Sequence, residues 1–329
     1  MKYPIYLDYN ATTPCTEEVM ESMLPFFSIH FGNTASKSHP FGWVAENAVE
    51  EAREKIAQLI GAKSKEIIFT SGATEALNLA IKGTFEAFLP GKQHFITCQT
   101  EHKAVLDCFE EIEKRGGEVT YLPVDEMGKI SIDQLVKAIL PTTKCEDRNL
   151  ILITDAVQAA GKIPVSTSGI HLMAISSHKL YGPKGIGALY VRHNHELPKP
   201  LAQIHGGGHE KGIRSGTLNV PGIVGFGRAA ELRMEEMNEE ANRLQKLRDR
   251  LQEGLLKISG TQLNGSQDNR LPHVCNIAFS GVEGEELLKR VDPDLGRASI
   301  RFSLGRKTSE DEILQTIDWV EKVVKELRE

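Results

Sequence analysis

Lys179 is the residue around which the chemistry of this sequence can be organised. It lies in Ser176-Ser-His-Lys-Leu-Tyr-Gly-Pro-Lys-Gly185, directly after the apolar run Leu172-Met-Ala-Ile175 and at the entrance to a Gly/Pro-rich turn. Most lysines are solvated surface groups, but one fixed by tight backbone at the end of a buried strand can condense with a carbonyl to form a Schiff base. Lys184, between Pro183 and Gly185, is the local competitor and stands farther from the strand. Asp155 closes a second apolar run, Leu150-Ile-Leu-Ile-Thr154, and Gln158 follows one helical turn later. An Asp after a strand is often only a helix cap. Facing a pyridine nitrogen, the same carboxylate keeps that nitrogen protonated, and Gln158 supplies a donor for a ring oxygen.

Ser71-Gly-Ala-Thr-Glu-Ala-Leu-Asn78 opens a helix on small residues directly after the strand-like Ile67–Thr70. Free amides at Ala73 and Thr74, the Thr74 hydroxyl and the helix dipole form an anion cradle, though a plain N-cap would read much the same. Ser176 and His178 can complete the phosphate contacts. His102, after the strand-like His94–Thr97, can stack on a ring and move protons near neutral pH; a solvated loop histidine is the bland alternative. A lysine, an acid, an anion cradle and a group for the ring face are together the requirements of a pyridoxal 5′-phosphate (PLP) site. Three further segments fit around it. The glycine-rich Gly206–Thr217 loop places Thr217 where it can reach a phosphate across a dimer interface. Arg301 can clamp a substrate carboxylate bidentately, and Asn33 can assist it.

These residues must be positioned by a sheet. Strand-like runs at 66–70, 94–97, 119–122, 150–154, 172–176 and 187–191 alternate with helical stretches at 45–59, 73–88, 104–115 and 131–140. Short apolar strands alternating with amphipathic helices predict βαβ units and a mostly parallel sheet covered on both faces, with ligands at the carboxyl ends of the strands. Residues 225–258 read as one long charged helix bridging two domains. Strand-like 274–279 and 299–303 and a helix from Glu310 complete a smaller α+β domain. The expected division is a large domain over 13–228 and a small domain made of 1–12 and 229–329.

The 329 residues are 40% hydrophobic and 26% charged, with a net charge of −6. That argues against a nucleic-acid or membrane-surface protein. There is no apolar run long enough for a membrane span and no secretory signal at the start, so the expected compartment is cytoplasmic. Cys15, Cys98, Cys108, Cys145 and Cys275 are scattered without a C-x-x-C pair, which argues for reduced thiols and against a disulfide scaffold or a metal site.

Several motifs together resemble one family, the cysteine desulfurases of the NifS/IscS type among the fold-type I PLP enzymes. They are Tyr6–Pro14, Phe69–Asn78, Thr100-Glu-His102, Thr154–Lys162, Ser177–Gly185, His205–His209, Arg214-Ser-Gly-Thr217 and Ile300–Arg306. The resemblance runs nearly end to end. It implies an α/β fold, a fold-type I PLP-dependent transferase with a mostly parallel sheet of the seven-stranded type, and a homodimer. It implies conversion of L-cysteine to L-alanine, with persulfide sulfur passed to an acceptor such as an iron–sulfur scaffold protein. Lys179 would bear the cofactor and move protons, and Asp155 and Gln158 would tune the ring under His102. Thr74, Ser176, His178 and the partner's copy of Thr217 would hold the phosphate. Arg301 and Asn33 would hold the substrate carboxylate.

The resemblance breaks twice. A buried strand with an Ala-Asn-Asn-Glu-like turn has no counterpart between Lys144 and Cys145. The loop bearing the catalytic cysteine has none either, because Glu285–Ser299 contains no cysteine. A selenocysteine-lyase-like enzyme, or an inactive PLP-binding partner protein, are therefore the alternatives. Loss of the first segment removes a strand from the middle of the sheet.

Overall fold

The computed structural model describes residues 4–89, 93–140, 143, 150–193, 198–282 and 299–329. The chain divides into two compact units. The larger contains Thr13–Asp125 and Lys129–Glu235, and the smaller contains Met1–Thr12, Glu126–Gly128 and Glu236–Glu329.

In the larger unit the order is α1 (Glu17–Met23), α2 (Pro25–Ser28), α3 (Pro40–Ile60), β1 (Ile67–Thr70), α4 (Ala73–Ala87), β2 (His94–Cys98) and α5 (Lys103–Lys114). Then come β3 (Glu118–Leu122), α6 (Ile132–Ala138), β4 (Ile153–Asp155), β5 (Leu172–Ser176) and β6 (Gly187–Val191), before α7 (Val220–Leu255). α3 shows why such segments fold as they do. Ala45, Val49, Ala52, Ile56 and Ile60 recur at helical spacing and are all buried. Pro40 opens the helix behind the His39 cap, and Gly61 ends it at φ 68, a left-handed position that favours glycine.

β1, β5 and β6 are buried along their whole length. Alternation along them feeds two separate cores. Ile67, Phe69, Met173, Ile175, Ala188 and Tyr190 pack with α3 and with Ile223 and Phe226 of α7. Ile68, Leu172, Ala174, Leu189 and Val191 pack with α4 and α5. Period-two side chains with apolar partners on both faces are what a covered α/β sheet requires.

The fold class is the expected one, but the strands form two sheets rather than one. Four associate in the order β1-β6-β5-β4, while β2 and β3 pair separately. β4 and β5 are parallel, as are β2 and β3, whereas β6 runs antiparallel to both β1 and β5. Among the described residues no strand lies between α6 and β4 to join the pieces, and this is where the resemblance first breaks. β4 is only half-buried, and Leu152 just before it is 51% exposed.

The smaller unit is an antiparallel sheet of β7 (Thr261–Leu263), β8 (Val274–Phe279) and β9 (Ser299–Ser303), with the second half of α7 and with α8 (Glu310–Arg328). Cys275, Ile277 and Phe279 alternate inward on β8 and pack with Ile313, Val320 and Val324 of α8. Asp8 bridges to Ser303 in parallel, which adds the N-terminal segment beside β9. Among the described residues, no helix is long and apolar enough to cross a membrane. The second break in the resemblance falls on 285–298, outside the described residues.

Candidate active site

β1 and β5 both oppose β6, so they run the same way, and β4 runs with β5. Their carboxyl ends therefore share one edge of the sheet. Thr70 and Ser176 both register against Gly187, and Asp155 registers against Ala174. Register alone thus brings Ala73 and Thr74, Asp155 and Gln158, and Ser176, His178 and Lys179 to one edge. Gly187 is needed there: a Cβ would stand 2.7 Å from Gly72 Cα and 2.8 Å from the Ile175 oxygen.

Each part then has local support. Gly72 precedes α4 and no side chain caps its first amides, so they remain suited to an anion. Glu75, in the first turn, accepts from the Ser71 amide at 2.7 Å and from Arg214 at 2.7 and 3.2 Å. Burial alone would raise its pKa; the Arg214 and Ser71 bonds outweigh this and hold it below the ordinary value. Its charge is matched, so the cradle is not opposed by a bare carboxylate.

Lys179 is half-buried in the 3-10 turn Ser177–Lys179, whereas its competitor Lys184 is exposed. His178, beside it, is pushed down to about 4 by burial and then by Lys179, Lys184 and Lys162. Three ammonium groups around a neutral histidine suit a phosphate dianion. The shift carries a pH prediction for the cofactor-free protein. An unfolded histidine takes up its proton near 6.5 and this one only near 4, so stability is complete above 6.5 and falls as pH drops toward 4. Urea unfolding at pH 7 and pH 5 will show a larger loss for wild type than for His178→Gln. The comparison cancels the contributions of His94 and His171, which are also depressed.

Asp155 Oδ1 accepts from the Val157 amide at 3.0 Å, which fixes the carboxylate in the turn after β4. Gln158 Oε1 accepts from Lys162 Nζ at 3.2 Å. His102 caps α5, its Nδ1 accepting from the Ala104 amide at 3.1 Å, so the neutral ring carries its proton on Nε2. Glu101 is raised by burial and then by the charge of Asp155, which sets the carboxyl end of β2 beside this same edge.

Three predicted residues are not joined to this group by any hydrogen bond among the described residues. Asn33 is exposed, its Oδ1 accepting from the Ala35 amide at 2.9 Å. Thr217 is exposed at the end of the glycine-rich loop. Arg301 belongs to the smaller unit, where it pairs with Asp8 at 3.2 Å.

Glu101 and the Glu75–Arg214 pair escaped the sequence reading, as did the anchor of the glycine-rich loop. There Glu210 is buried and left-handed, at φ 47. Its carboxylate accepts from Arg53 Nη1 and Nη2, both at 2.8 Å, and from the Phe69 amide at 2.7 Å. A charged residue among glycines reads as solvated loop; only the fold reveals its buried partner. Cys15, Cys98, Cys108 and Cys275 are free thiols. Burial pushes Cys108 up to about 11 and Cys275 up to about 12, which makes both inert as thiolates.

The uncapped helix start, the half-buried lysine among cations and the fixed carboxylate fit PLP by their donor chemistry. Comparison with known proteins agrees. The family profile described as aminotransferase class-V matches residues 5–145 and 142–315, its two pieces meeting where the resemblance first breaks. A protein of Anaeromyxobacter sp. (strain Fw109-5) named cysteine desulfurase IscS is 44% identical over 382 residues, covering 100% of this chain and 94% of its own. That aligned stretch exceeds the 329 residues of this chain, so the relative holds residues without counterpart here. A solved NifS-like protein has 33% identity and a TM-score of 0.92, covering 99% of this chain and 100% of its own. The structure of SspA in complex with cysteine has 34% identity and a TM-score of 0.75, covering 91% and 98%. The chain belongs to the class-V aminotransferase family, whose members depend on PLP.

Proposed function

We propose that this protein is a PLP-dependent cysteine desulfurase. The observation that carries the reading is the convergence of Lys179, Asp155 and the open start of α4 at one sheet edge. It is supported by the desulfurase name of a relative aligned over the whole chain and by the likeness to a structure holding cysteine. When bound, PLP supplies an electron sink that labilises bonds at the amino acid's α and β carbons.

The chain's own residues do the rest. Lys179 anchors the cofactor and shuttles the proton of the substrate α carbon. Asp155 holds the ring-nitrogen proton, Gln158 faces the ring oxygen and His102 covers the ring. Ala73, Thr74, Ser176 and His178 hold the phosphate, with Thr217 contributed across a homodimer. Arg301 and Asn33 bind the substrate carboxylate. The overall change, L-cysteine plus a thiol giving L-alanine plus a persulfide, balances in atoms and electrons. In this chain an external thiol, or one borne by an acceptor such as an iron–sulfur scaffold protein, takes the sulfur, because Glu285–Ser299, where the resemblance puts the nucleophilic cysteine, contains none. The free thiols suit a cytoplasmic setting. Holo-protein given L-cysteine and a reducing thiol will yield alanine and sulfide in equal amounts. Bound PLP without alanine would refute the activity.

The homodimer is supported by a cluster of exposed apolar residues in one sequence stretch. Leu24, Phe27, Ile29 and Phe31 are 63–64% exposed, and Phe41 and Trp43 are 53% exposed. Such a patch on a monomer marks an interface. Wild-type protein will sediment as a dimer and Phe31→Asp/Trp43→Asp as a monomer. A monomeric wild type would remove the role given to Thr217.

A further inference from the structure

Thr13 is 2% exposed and precedes α1, in a segment to which the sequence reading gave no chemical task. Its amide and its hydroxyl both donate to the His178 carbonyl, at 3.0 and 2.8 Å. The same Oγ1 accepts from the Tyr181 amide at 2.8 Å. Thr16 adds a bond from its amide to the Tyr181 carbonyl at 3.2 Å. The residue before Lys179 and the residue two after it are thus fastened to one buried oxygen.

The turn so held is strained. Tyr181 sits at φ 63, one of three non-glycine residues with positive φ among those described. An aromatic residue keeps that conformation only where its surroundings impose it. Its ring is buried, with the Arg233 guanidinium 5.1 Å from the centroid. Gly182 follows where a Cβ would come within 2.1 Å of Ser177 Oγ. The Tyr181 amide, turned inward by the positive φ, meets the Thr13 hydroxyl. Without that acceptor, a buried N–H would be orphaned and the turn would relax.

We propose that Thr13 is a positioning residue for Lys179: its hydroxyl sets the direction in which the amine leaves the turn and so controls the geometry of the cofactor linkage. This rests on the reading of Lys179 as the cofactor-bearing lysine. A serine keeps both hydroxyl bonds. A valine of the same shape keeps only the amide bond.

The test uses holo-protein as wild type, Thr13→Ser and Thr13→Val. Borohydride reduction of wild type, followed by peptide mapping, comes first, and fixation on Lys179 is expected; fixation elsewhere overturns the parent reading and the proposal with it. The pH titration of the visible cofactor band and the rate of cofactor release are then measured on all three. Thr13→Val is expected to shift the titration and to release cofactor roughly tenfold faster, from the loss of two hydrogen bonds. Thr13→Ser is expected to match wild type in both. With Lys179 labelled, a Thr13→Val protein that titrates and releases like wild type overturns the proposal alone, as does a Thr13→Ser protein as defective as Thr13→Val. If Thr13→Val gives no folded protein by circular dichroism, Thr13→Ser decides: an unchanged titration supports the hydroxyl's role, and a shifted one overturns it.

Discussion

Lys179→Ala will bind no reducible PLP and will lose activity by roughly four orders of magnitude or more, since both the covalent anchor and a proton shuttle disappear. The 3-10 turn after β5 carries the lysine out at the shared edge, half-buried, among two further ammonium groups and a neutral His178. Lys184→Ala is the control. That residue is exposed, and its removal will leave borohydride fixation intact while easing the depression of His178. Mass mapping after reduction separates the two outcomes. Fixation surviving in Lys179→Ala but lost in Lys184→Ala would reverse the assignment.

Glu210→Ala will lower unfolding stability by about 3–5 kcal/mol, because it leaves the Arg53 guanidinium buried without its carboxylate. Arg53 is 5% exposed and Glu210 is 7% exposed. Burial alone would depress Arg53, yet the bond and charge of Glu210 raise it above its ordinary value. Removing the carboxylate also orphans the Phe69 amide inside β1. The Ile67 carbonyl still accepts from Arg53 Nη1 at 2.8 Å, the guanidinium still lies 4.6 Å over the Phe69 ring, and Glu50 still accepts from Nε at 3.0 Å, but the Glu50 side chain is 55% exposed and its counter-charge is screened by solvent. Paired replacement Arg53→Met/Glu210→Leu will cost much less than the single change, since no ion is then stranded. Urea denaturation of the three proteins measures the difference. Equal losses for the single and double variants would show that the pair has no such role. The left-handed conformation at 210 persists because these bonds hold it, so the single variant will also loosen the loop that ends at Thr217.

What the sequence disclosed and what it hid follow from the range of the interactions. β1, β5 and β6 were legible because full burial leaves an unbroken apolar run. The site edge followed from the rule that such strands carry ligands at their carboxyl ends. β4 begins at Ile153 rather than Leu150, because a strand paired on one side frays where its apolar run is solvent-facing. The partition into two sheets was foreshadowed by the first break in the resemblance, but the pairing itself depends on contacts between distant segments. Thr13, Glu210 and Glu101 were illegible for the same reason. Thr13 and Tyr181 lie 168 positions apart, Arg53 and Glu210 lie 157 apart, and no local pattern connects either pair.

The division of the sheet has a further consequence. Asp155, proposed to hold the ring-nitrogen proton, ends a three-residue strand that among the described residues is laddered to β5 alone. Backbone groups at such a border open to solvent through small local fluctuations, long before the central strands part. Lys179 follows β5, which is paired on both sides. With the roles proposed for Asp155 and Lys179, warming is expected to loosen the electronic tuning of the ring before its tether, leaving a state that still grips the cofactor but has lost the power to activate it.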